Sequence, residues 1–322
     1  MTTAVATSPR TVDARPAESP ATIELRNVSR WYGNVVAVNG VSFELRPGIT
    51  GLLGPNGAGK STLLHMMAGL LRPSTGEVRV LGEPAWKNPA IYSRVGLVPE
   101  REAFYPFLTG REFVLSSARL FKLPDPVAAA DRAIAAVDMA ATQGRAMGGY
   151  SKGMRQRIKV AASIVHEPSV LLLDEPFNGA DPGQRLHMMD LLRAMAADGR
   201  TIVFSSHILE EVERLAEDVL VVVAGRLAAS GDFREIRRLM TDRPHTFVLR
   251  TTDDRRLAAL LVAEPTVTGL ELGENGLKVS VADRTAFAFA APKVARAARI
   301  SIDELIPADE SLESVFSYLV QR

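Results

Sequence analysis

The spacing of apolar residues predicts a strand-rich beginning, a helical middle and a later region in which strands and helices alternate. From Ile23 to Leu45 apolar residues alternate with polar ones, which predicts a small antiparallel sheet. From Gly51 a short apolar strand leads into a glycine-rich turn and then into a helix-like stretch, Ser61 to Leu71. A strand, a loop and a helix in this order suit a phosphate-binding loop.

The pattern of apolar residues after Thr109 predicts an α/β fold. Thr109 and Glu112 form a capping-box pattern, so we expect helix over most of Glu112 to Ala141. Strands and helices that alternate predict a mainly parallel sheet with crossover connections. These elements are the strand Val170–Leu173, the helix Gly183–Ala197, the strand Thr201–Ser205, the helix Ile208–Glu217 and the strand Val219–Val223.

The pattern changes again near Thr241 to Pro244, which we interpret as a domain boundary. Residues 1–21 have no continuous apolar segment and are predicted to be a disordered tail. Residues 22–241 form the main domain, with a helical subdomain over about 104–160. Residues 242–322 are predicted to be a small α+β domain, with a hairpin turn at Asn275-Gly276 and a last long helix that Pro292 interrupts.

Composition and charge narrow the classes of function. The chain has 322 residues, with Lys+Arg 38 against Asp+Glu 37, so its net charge of +1 supplies no broad positive field for nucleic acid. The absence of cysteine excludes disulfides, thiolate nucleophiles and cysteine-ligated metal. No apolar run reaches the roughly 18 residues of a membrane-spanning helix.

A P-loop pattern is the strongest chemical motif. It runs Gly54-Pro55-Asn56-Gly57-Ala58-Gly59-Lys60-Ser61 and matches every fixed position, and we assign the following Thr62 to the same nucleotide site. The glycines allow backbone amides to face phosphates, Lys60 reaches the terminal phosphates, and the Ser61 hydroxyl ligates Mg²⁺. The motif predicts ATP and Mg²⁺ as cofactors.

Two carboxylates follow the buried-type strand Val170–Leu173. We expect Asp174 to hold Mg²⁺ through its water shell and Glu175 to act as the base that orients water. Two acids also end many ordinary strands, but a P-loop earlier in the same chain favours the catalytic interpretation.

The segment from Tyr150 to Arg157 resembles the signature loop of ATP-binding-cassette (ABC) proteins, usually written LSGGQ. Ser151 and Gly153 keep the positions that face phosphate in the family, whereas Tyr150, Lys152 and Met154 depart from the commonest wording. This variant is similar to the one in ABC-2 type exporter ATPases, whose permease is a separate chain. The resemblance spans about residues 22–240.

The resemblance implies roles for further residues. Asp181 lies in the segment that matches the D-loop, and His207 matches the switch histidine that contacts the γ-phosphate. Tyr32 matches the aromatic residue that stacks on adenine, with the adjacent Trp31 as competitor. Glu100 occupies the Q-loop position, where many members have Gln, and can approach Mg²⁺ but cannot donate a hydrogen bond when ionised. A C-terminal stretch, Ser311 to Phe316, is similar to the helix that closes accessory domains in ABC-2 ATPases.

The family resemblance implies an ATPase in which two copies of the chain enclose two ATP molecules and drive a separate integral-membrane permease, for export, at the cytoplasmic face of the membrane. The rival interpretation is a soluble cassette protein that acts on ribosomes or DNA, but the chain has a single P-loop, no heptad arm and no cysteine. We therefore expect no nucleic-acid partner. A P-loop GTPase or kinase would leave the segment from Ser151 to Met154 unexplained.

Overall fold

The computed structural model describes residues 10–11, 20–101, 104–232, 234–236, 245–273, 276–308, 312 and 316. It divides into two compact units, Met1–Asp232 and Phe233–Arg322. This division precedes the boundary predicted at Thr241 to Pro244, and those residues lie outside the described part. Most of the predicted disordered tail also lies outside it, although Arg10–Thr11 forms a short strand.

A seven-stranded sheet is the centre of the first unit, with strand order β1-β11-β10-β4-β9-β8-β7. The five strands from β10 to β7 run parallel to their neighbours, whereas β11 is antiparallel to β10. The predicted α/β fold is confirmed. The strands are β1 (Arg10–Thr11), β4 (Gly48–Leu53), β7 (Val95–Val98), β8 (Val170–Asp174), β9 (Thr201–Ser205), β10 (Asp218–Val223) and β11 (Arg226–Gly231).

A smaller antiparallel sheet, with order β3-β2-β5-β6, confirms the expected layer at the start of the unit. Its strands are β2 (Ile23–Tyr32), β3 (Val35–Leu45), β5 (Thr75–Val80) and β6 (Glu83–Pro84). Ile23, Leu25 and Val28 are buried with residues of the following helix, including Leu63 and Met67, in one apolar cluster. The alternation shifts after Leu25, where Asn27 has a positive φ of 50° and the pairing register changes.

The helices of the first unit are α1 (Lys60–Met67), α2 (Pro89–Tyr92), α3 (Gly110–Leu120), α4 (Pro126–Ala136), α5 (Lys152–Ile164), α6 (Pro182–Ala197) and α7 (Leu209–Leu215). Thr109 and Glu112 form the predicted capping box at the start of α3. The helical stretch expected from 112 to 141 is broken, because Lys122 adopts a positive φ of 54° and Pro126 begins a new helix. Similarly, α1 ends before Leu71 because Gly69 turns the chain with φ of 70°.

The second unit contains β12 (His245–Thr251), α8 (Asp254–Leu261), β13 (Val267–Gly273), β14 (Gly276–Val281), α9 (Arg284–Ala297) and β15 (Ile302–Pro307). Its antiparallel sheet has the order β13-β14-β12-β15, a split β-α-β arrangement. The elements follow the predicted order. Gly273 pairs with Gly276, while Asn275 lies outside the described residues. The helix α9 continues through Pro292, whose side chain is exposed.

Phe247, Leu249, Leu257 and Phe287 are central members of the apolar core of the second unit. Of the predicted closing helix from Ser311 to Phe316, only positions 312 and 316 are described, and both are helical. Among all the described residues, no helix combines the length and the hydropathy that crossing a bilayer requires.

Candidate nucleotide site

The loop between β4 and α1 needs glycine at two positions because main chain from other elements lies against it. A Cβ atom on Gly54 would lie 2.3 Å from the carbonyl oxygen of Val222, and one on Gly59 would lie 2.4 Å from that of Ala37. Gly59 also has a positive φ of 104° as the N-cap of α1. The loop therefore delivers backbone N–H groups and a helix N-terminus to one place, an arrangement that suits phosphate.

Lys60 is held inside this loop. Its side chain is 8% exposed, and Nζ donates to the carbonyl oxygens of Gly54 at 2.8 Å and Pro55 at 3.2 Å. Ala58 is buried, Ser61 and Thr62 are partly buried, and the tip formed by Pro55, Asn56 and Gly57 faces solvent. The ammonium is thus placed where the loop would surround a phosphate chain.

The two predicted carboxylates sit at the end of β8, and Ser205 at the end of the neighbouring strand β9 links them. Ser205 Oγ donates to Asp174 Oδ1 at 2.6 Å and accepts from the backbone N–H of Glu175 at 2.9 Å. Glu175 adopts a positive φ of 52°, so this residue leaves the strand in a conformation that few non-glycine residues adopt. Ser205 was not predicted from the sequence, since a serine at a strand end carries no distinctive signal.

Glu175 and His207 are in direct contact. Glu175 Oε2 lies 2.8 Å from His207 Nδ1, and the imidazole itself is exposed. Burial raises the pKa of the Glu175 carboxyl above its ordinary value, while the hydrogen bond from His207 and the charges of His207 and Lys60 partly oppose that rise. A carboxylate with a raised pKa is a stronger proton acceptor.

The signature segment packs against the D-loop of the same chain. Ser151 caps α5 by accepting from the Met154 N–H at 3.2 Å, and Asp181 caps α6 by accepting from the Gln184 N–H at 2.8 Å. Lys152 Nζ donates to Asn178 Oδ1 at 2.8 Å.

Gly153, which the resemblance assigned to phosphate, is buried against the D-loop. A Cβ atom at this position would lie 2.7 Å from the carbonyl oxygen of Gly179. A close contact within the chain therefore also demands glycine here.

Comparison with known proteins identifies the family. The sequence model of the family described as ABC transporter matches residues 38–178. An uncharacterized ABC transporter ATP-binding protein of Nostoc sp. is 39% identical over 224 residues, which cover 67% of each chain. The Nod factor export ATP-binding protein I of Burkholderia orbicola is 40% identical over 220 residues, covering 66% of this chain and 71% of that protein. The chain belongs to the ABC transporter ATP-binding family.

A solved structure agrees with this assignment. The ATP-binding subunit of an ABC transporter superposes with a TM-score of 0.62 at 27% identity, covering 67% of this chain and 92% of that one. The ABC subunit described here is thus an ATP-binding and ATP-hydrolysing component of a transporter.

Glu100, at the Q-loop position of this ABC subunit, is exposed just after β7. It lines a cavity of about 210 Å³ together with Glu175, and Lys152, Gln156 and Lys159 contribute to the same wall. Gln156 and Lys159 were not predicted from the sequence. The available signal was the position of Lys159 between the apolar residues Ile158 and Val160. A lysine that is buried beside such residues needs acceptors for its ammonium group.

Both candidate adenine-stacking residues are accessible at the end of β2. Trp31 is 43% exposed and Tyr32 is 47% exposed, so Trp31 is a surface residue rather than part of the core. The Arg30 guanidinium lies 4.6 Å from the centre of the Tyr32 ring. Because both aromatic side chains are exposed, the choice of Tyr32 over Trp31 as the residue that stacks on adenine stays a prediction.

The oxygen ligands fit a magnesium ion that nucleotide phosphates help to hold. Asp174 is buried at the strand end with Ser205 on one oxygen, and Ser61 follows directly on Lys60. Within the described ranges, no group of three or more His, Cys, Asp or Glu residues could hold a metal ion by itself. Mg²⁺ commonly binds through one or two protein oxygens together with phosphates and waters.

Proposed function

We propose that two copies of this subunit close around two ATP molecules with Mg²⁺ and drive export through a separate integral-membrane permease at the cytoplasmic face of the membrane. The single observation that carries the proposal is the division of the site. Lys60, Asp174, Glu175 and His207 are associated with one another, whereas Ser151 is exposed and, among the described residues, its hydroxyl bonds only the Met154 N–H of its own helix. The exposed Ser151 is available to a second chain.

In this proposal the P-loop residues Gly54 to Thr62 bind the phosphates, and Tyr32 stacks on adenine. Ser61, Asp174 and Glu100 would hold Mg²⁺, which would neutralise phosphate charge. Ser151, Gly153 and Asp181 of the second copy complete the site.

The chemical step assigns Glu175 and His207 distinct roles. Glu175 accepts a proton from a water molecule as the oxygen of that water attacks the γ-phosphorus. The bond between the γ-phosphorus and the oxygen that bridges it to the β-phosphorus breaks, and ADP leaves. His207 orients Glu175 through the 2.8 Å contact and approaches the γ-phosphate. The raised pKa of the Glu175 carboxyl favours this transfer.

Dimerisation is tested on the isolated subunit in the Glu175→Gln background, which should bind ATP without consuming it. Size-exclusion chromatography with light scattering should give dimers with ATP and monomers without it. Adding Ser151→Arg should abolish the dimer while ATP binding by the monomer persists. Ser116→Arg makes the same change at an exposed serine of α3 and should leave the dimer intact.

Two results would overturn the dimer: ATP-dependent dimers in the Ser151→Arg variant, or a wild-type monomer whose hydrolysis rate per chain is independent of protein concentration. The proposed association with a membrane permease is tested separately. Affinity capture of the tagged chain from detergent-solubilised membranes should recover a polytopic membrane protein. Export rather than import is supported by the relative named for Nod factor export.

A further inference from the structure

A buried lysine on α5 holds both sides of the residue at the Q-loop position. Lys159 is 6% exposed, and its Nζ donates to the carbonyl oxygens of Pro99 at 2.6 Å and Arg101 at 3.3 Å. Pro99 and Arg101 are the residues on either side of Glu100. The main chain on either side of Glu100 is therefore fastened to α5, the helix that begins beside the signature residue Ser151.

Through Gln156, the same ammonium group is also connected to Glu175. Lys159 Nζ donates to Gln156 Oε1 at 3.1 Å, and Gln156 Nε2 donates to the carbonyl oxygen of Glu175 at 3.3 Å. Gln156 is 7% exposed, so both side chains lie out of solvent. An amide fixed by a donor on its oxygen and an acceptor for its nitrogen has one orientation.

The connection ends at a residue whose backbone needs support. Glu175 has a φ of 52°, and its two main-chain polar groups are tied to different elements. The N–H donates to Ser205 of β9, and the C=O accepts from Gln156 of α5 and, at 3.2 Å, from the N–H of Asn178. A sparsely populated backbone conformation persists only where its surroundings fix it. Losing the bond from Gln156 would leave the Glu175 carbonyl with only the local bond from Asn178 among the described residues, and would remove its tie to α5.

We propose that Lys159 and Gln156 are positioning residues that hold the main chain around Glu100 and the main chain of Glu175 at a fixed separation during ATP hydrolysis. The inference rests on the proposed roles of Glu100 and Glu175. The cavity of about 210 Å³ that both carboxylates line is the space whose width this connection sets. The P-loop takes no part in this connection, so breaking it should lower the rate of hydrolysis without changing the affinity for ATP.

The test is Lys159→Met, which matches the lysine side chain out to Cε and removes the ammonium donors. We expect kcat to fall by about ten- to a hundredfold, the scale of a misplacement of about 1 Å near reacting groups. The Kd for ATP, measured by isothermal titration without Mg²⁺, should stay near the wild-type value. Lys159→Arg retains charge and donors beside a cavity with room for the larger group, and should recover most of the rate.

Gln156→Met interrupts the same connection without removing a buried charge, so it decides the question if Lys159→Met does not fold. In the double variant the loss should not exceed that of the more severe single change, because both break one connection. Lys293→Met, at an exposed lysine of α9, is the matched control and should behave as wild type.

Three results would overturn the inference: a wild-type kcat in Lys159→Met, a rise in Kd as large as the fall in kcat, or single losses that multiply in the double variant. Glu175→Gln, measured alongside, distinguishes a failure of the proposed catalytic role of Glu175 from a failure of the positioning role of Lys159 and Gln156. If Glu175→Gln retains wild-type turnover, the proposed role of Glu175 is wrong. If it is inactive while Lys159→Met and Gln156→Met turn over normally, only the positioning role fails.

Discussion

Alanine substitutions at three glycines of the P-loop should separate backbone strain from steric overlap. Gly57 has a positive φ of 79° but open space where a Cβ atom would stand, so its replacement introduces strain alone. A Cβ atom on Gly54 would lie 2.3 Å from the Val222 carbonyl oxygen, so its replacement introduces overlap alone. Gly59 combines a φ of 104° with a 2.4 Å approach of such an atom to the Ala37 carbonyl oxygen.

The expected magnitudes follow from these geometries. A non-glycine residue in the left-handed region costs about 1–2 kcal/mol, which sets the loss of stability for Gly57→Ala. Overpacking costs about 1–3 kcal/mol, which applies to Gly54→Ala because main chain cannot move aside cheaply. Gly59→Ala carries both costs and should lose about 2–5 kcal/mol. With a slope of about 2–3 kcal/mol per molar urea, its midpoint should fall by roughly 0.7–2.5 M.

Urea denaturation of the nucleotide-free protein, followed by tryptophan fluorescence, measures this ranking. Both tryptophans of the chain, Trp31 and Trp86, belong to the first unit, so the signal reports the unit that contains the loop. Gly82→Ala is the matched control for strain. Gly82 has a φ of 80°, open space around it and a position between β5 and β6, so its variant should match Gly57→Ala in stability.

Two outcomes would refute this reasoning: a Gly57→Ala variant as destabilised as Gly59→Ala, or a Gly54→Ala variant with an unchanged midpoint. The first result would mean that the Ala37 carbonyl yields to a methyl group, and the second that the Val222 carbonyl does. The close approaches would then not be the reason for glycine at positions 54 and 59.

Four further changes test the nucleotide site and the two units. Lys60→Ala should lose ATP binding in equilibrium dialysis, because the loop loses its phosphate-binding charge; wild-type turnover would contradict this. Glu175→Gln should keep ATP binding but hydrolyse about 10²–10⁴-fold more slowly, since an amide accepts no proton; equal loss of binding would argue against the division of roles. His207→Ala removes a bond that lowers the pKa of Glu175, so the acid limb of the kcat profile should move to higher pH, and an unmoved limb would count against the contact. Removing residues 233–322 should leave a folded, ATP-binding first unit, whereas an insoluble product would show that the second unit is integral to it.

The sequence predicts the site well where residue types are tied to local geometry. The P-loop and the pair Asp174-Glu175 are fixed by a strand that ends and a turn that follows, so their positions could be derived from a short stretch of chain. The capping box of Thr109 and Glu112 is equally local, and both of its hydrogen bonds are present.

Contacts between distant segments could not be predicted in this way. Ser205 bonds both Asp174 and Glu175 only because β8 and β9 are neighbours in parallel register. Gly153 meets the carbonyl of Gly179 because the first turn of α5 and the D-loop approach each other, and neither segment encodes that approach by itself. The break after Lys122, by contrast, has a local signal that apolar spacing alone overlooks, because Pro124 and Pro126 follow directly and proline does not continue a helix.

Because β4 lies between β10 and β9 in the sheet, the ribosome must synthesise most of the first unit before the nucleotide-binding loop has its neighbours. Leu52 pairs with Ser205 on one side and with Leu220 on the other. At about 5–20 residues per second, on the order of ten seconds separates the synthesis of β4 from that of β10. Until β9 is synthesised, the apolar strand that leads into the P-loop has neither of its partners. A nascent chain arrested before Thr201 would therefore expose this strand and would be a ready client for chaperones.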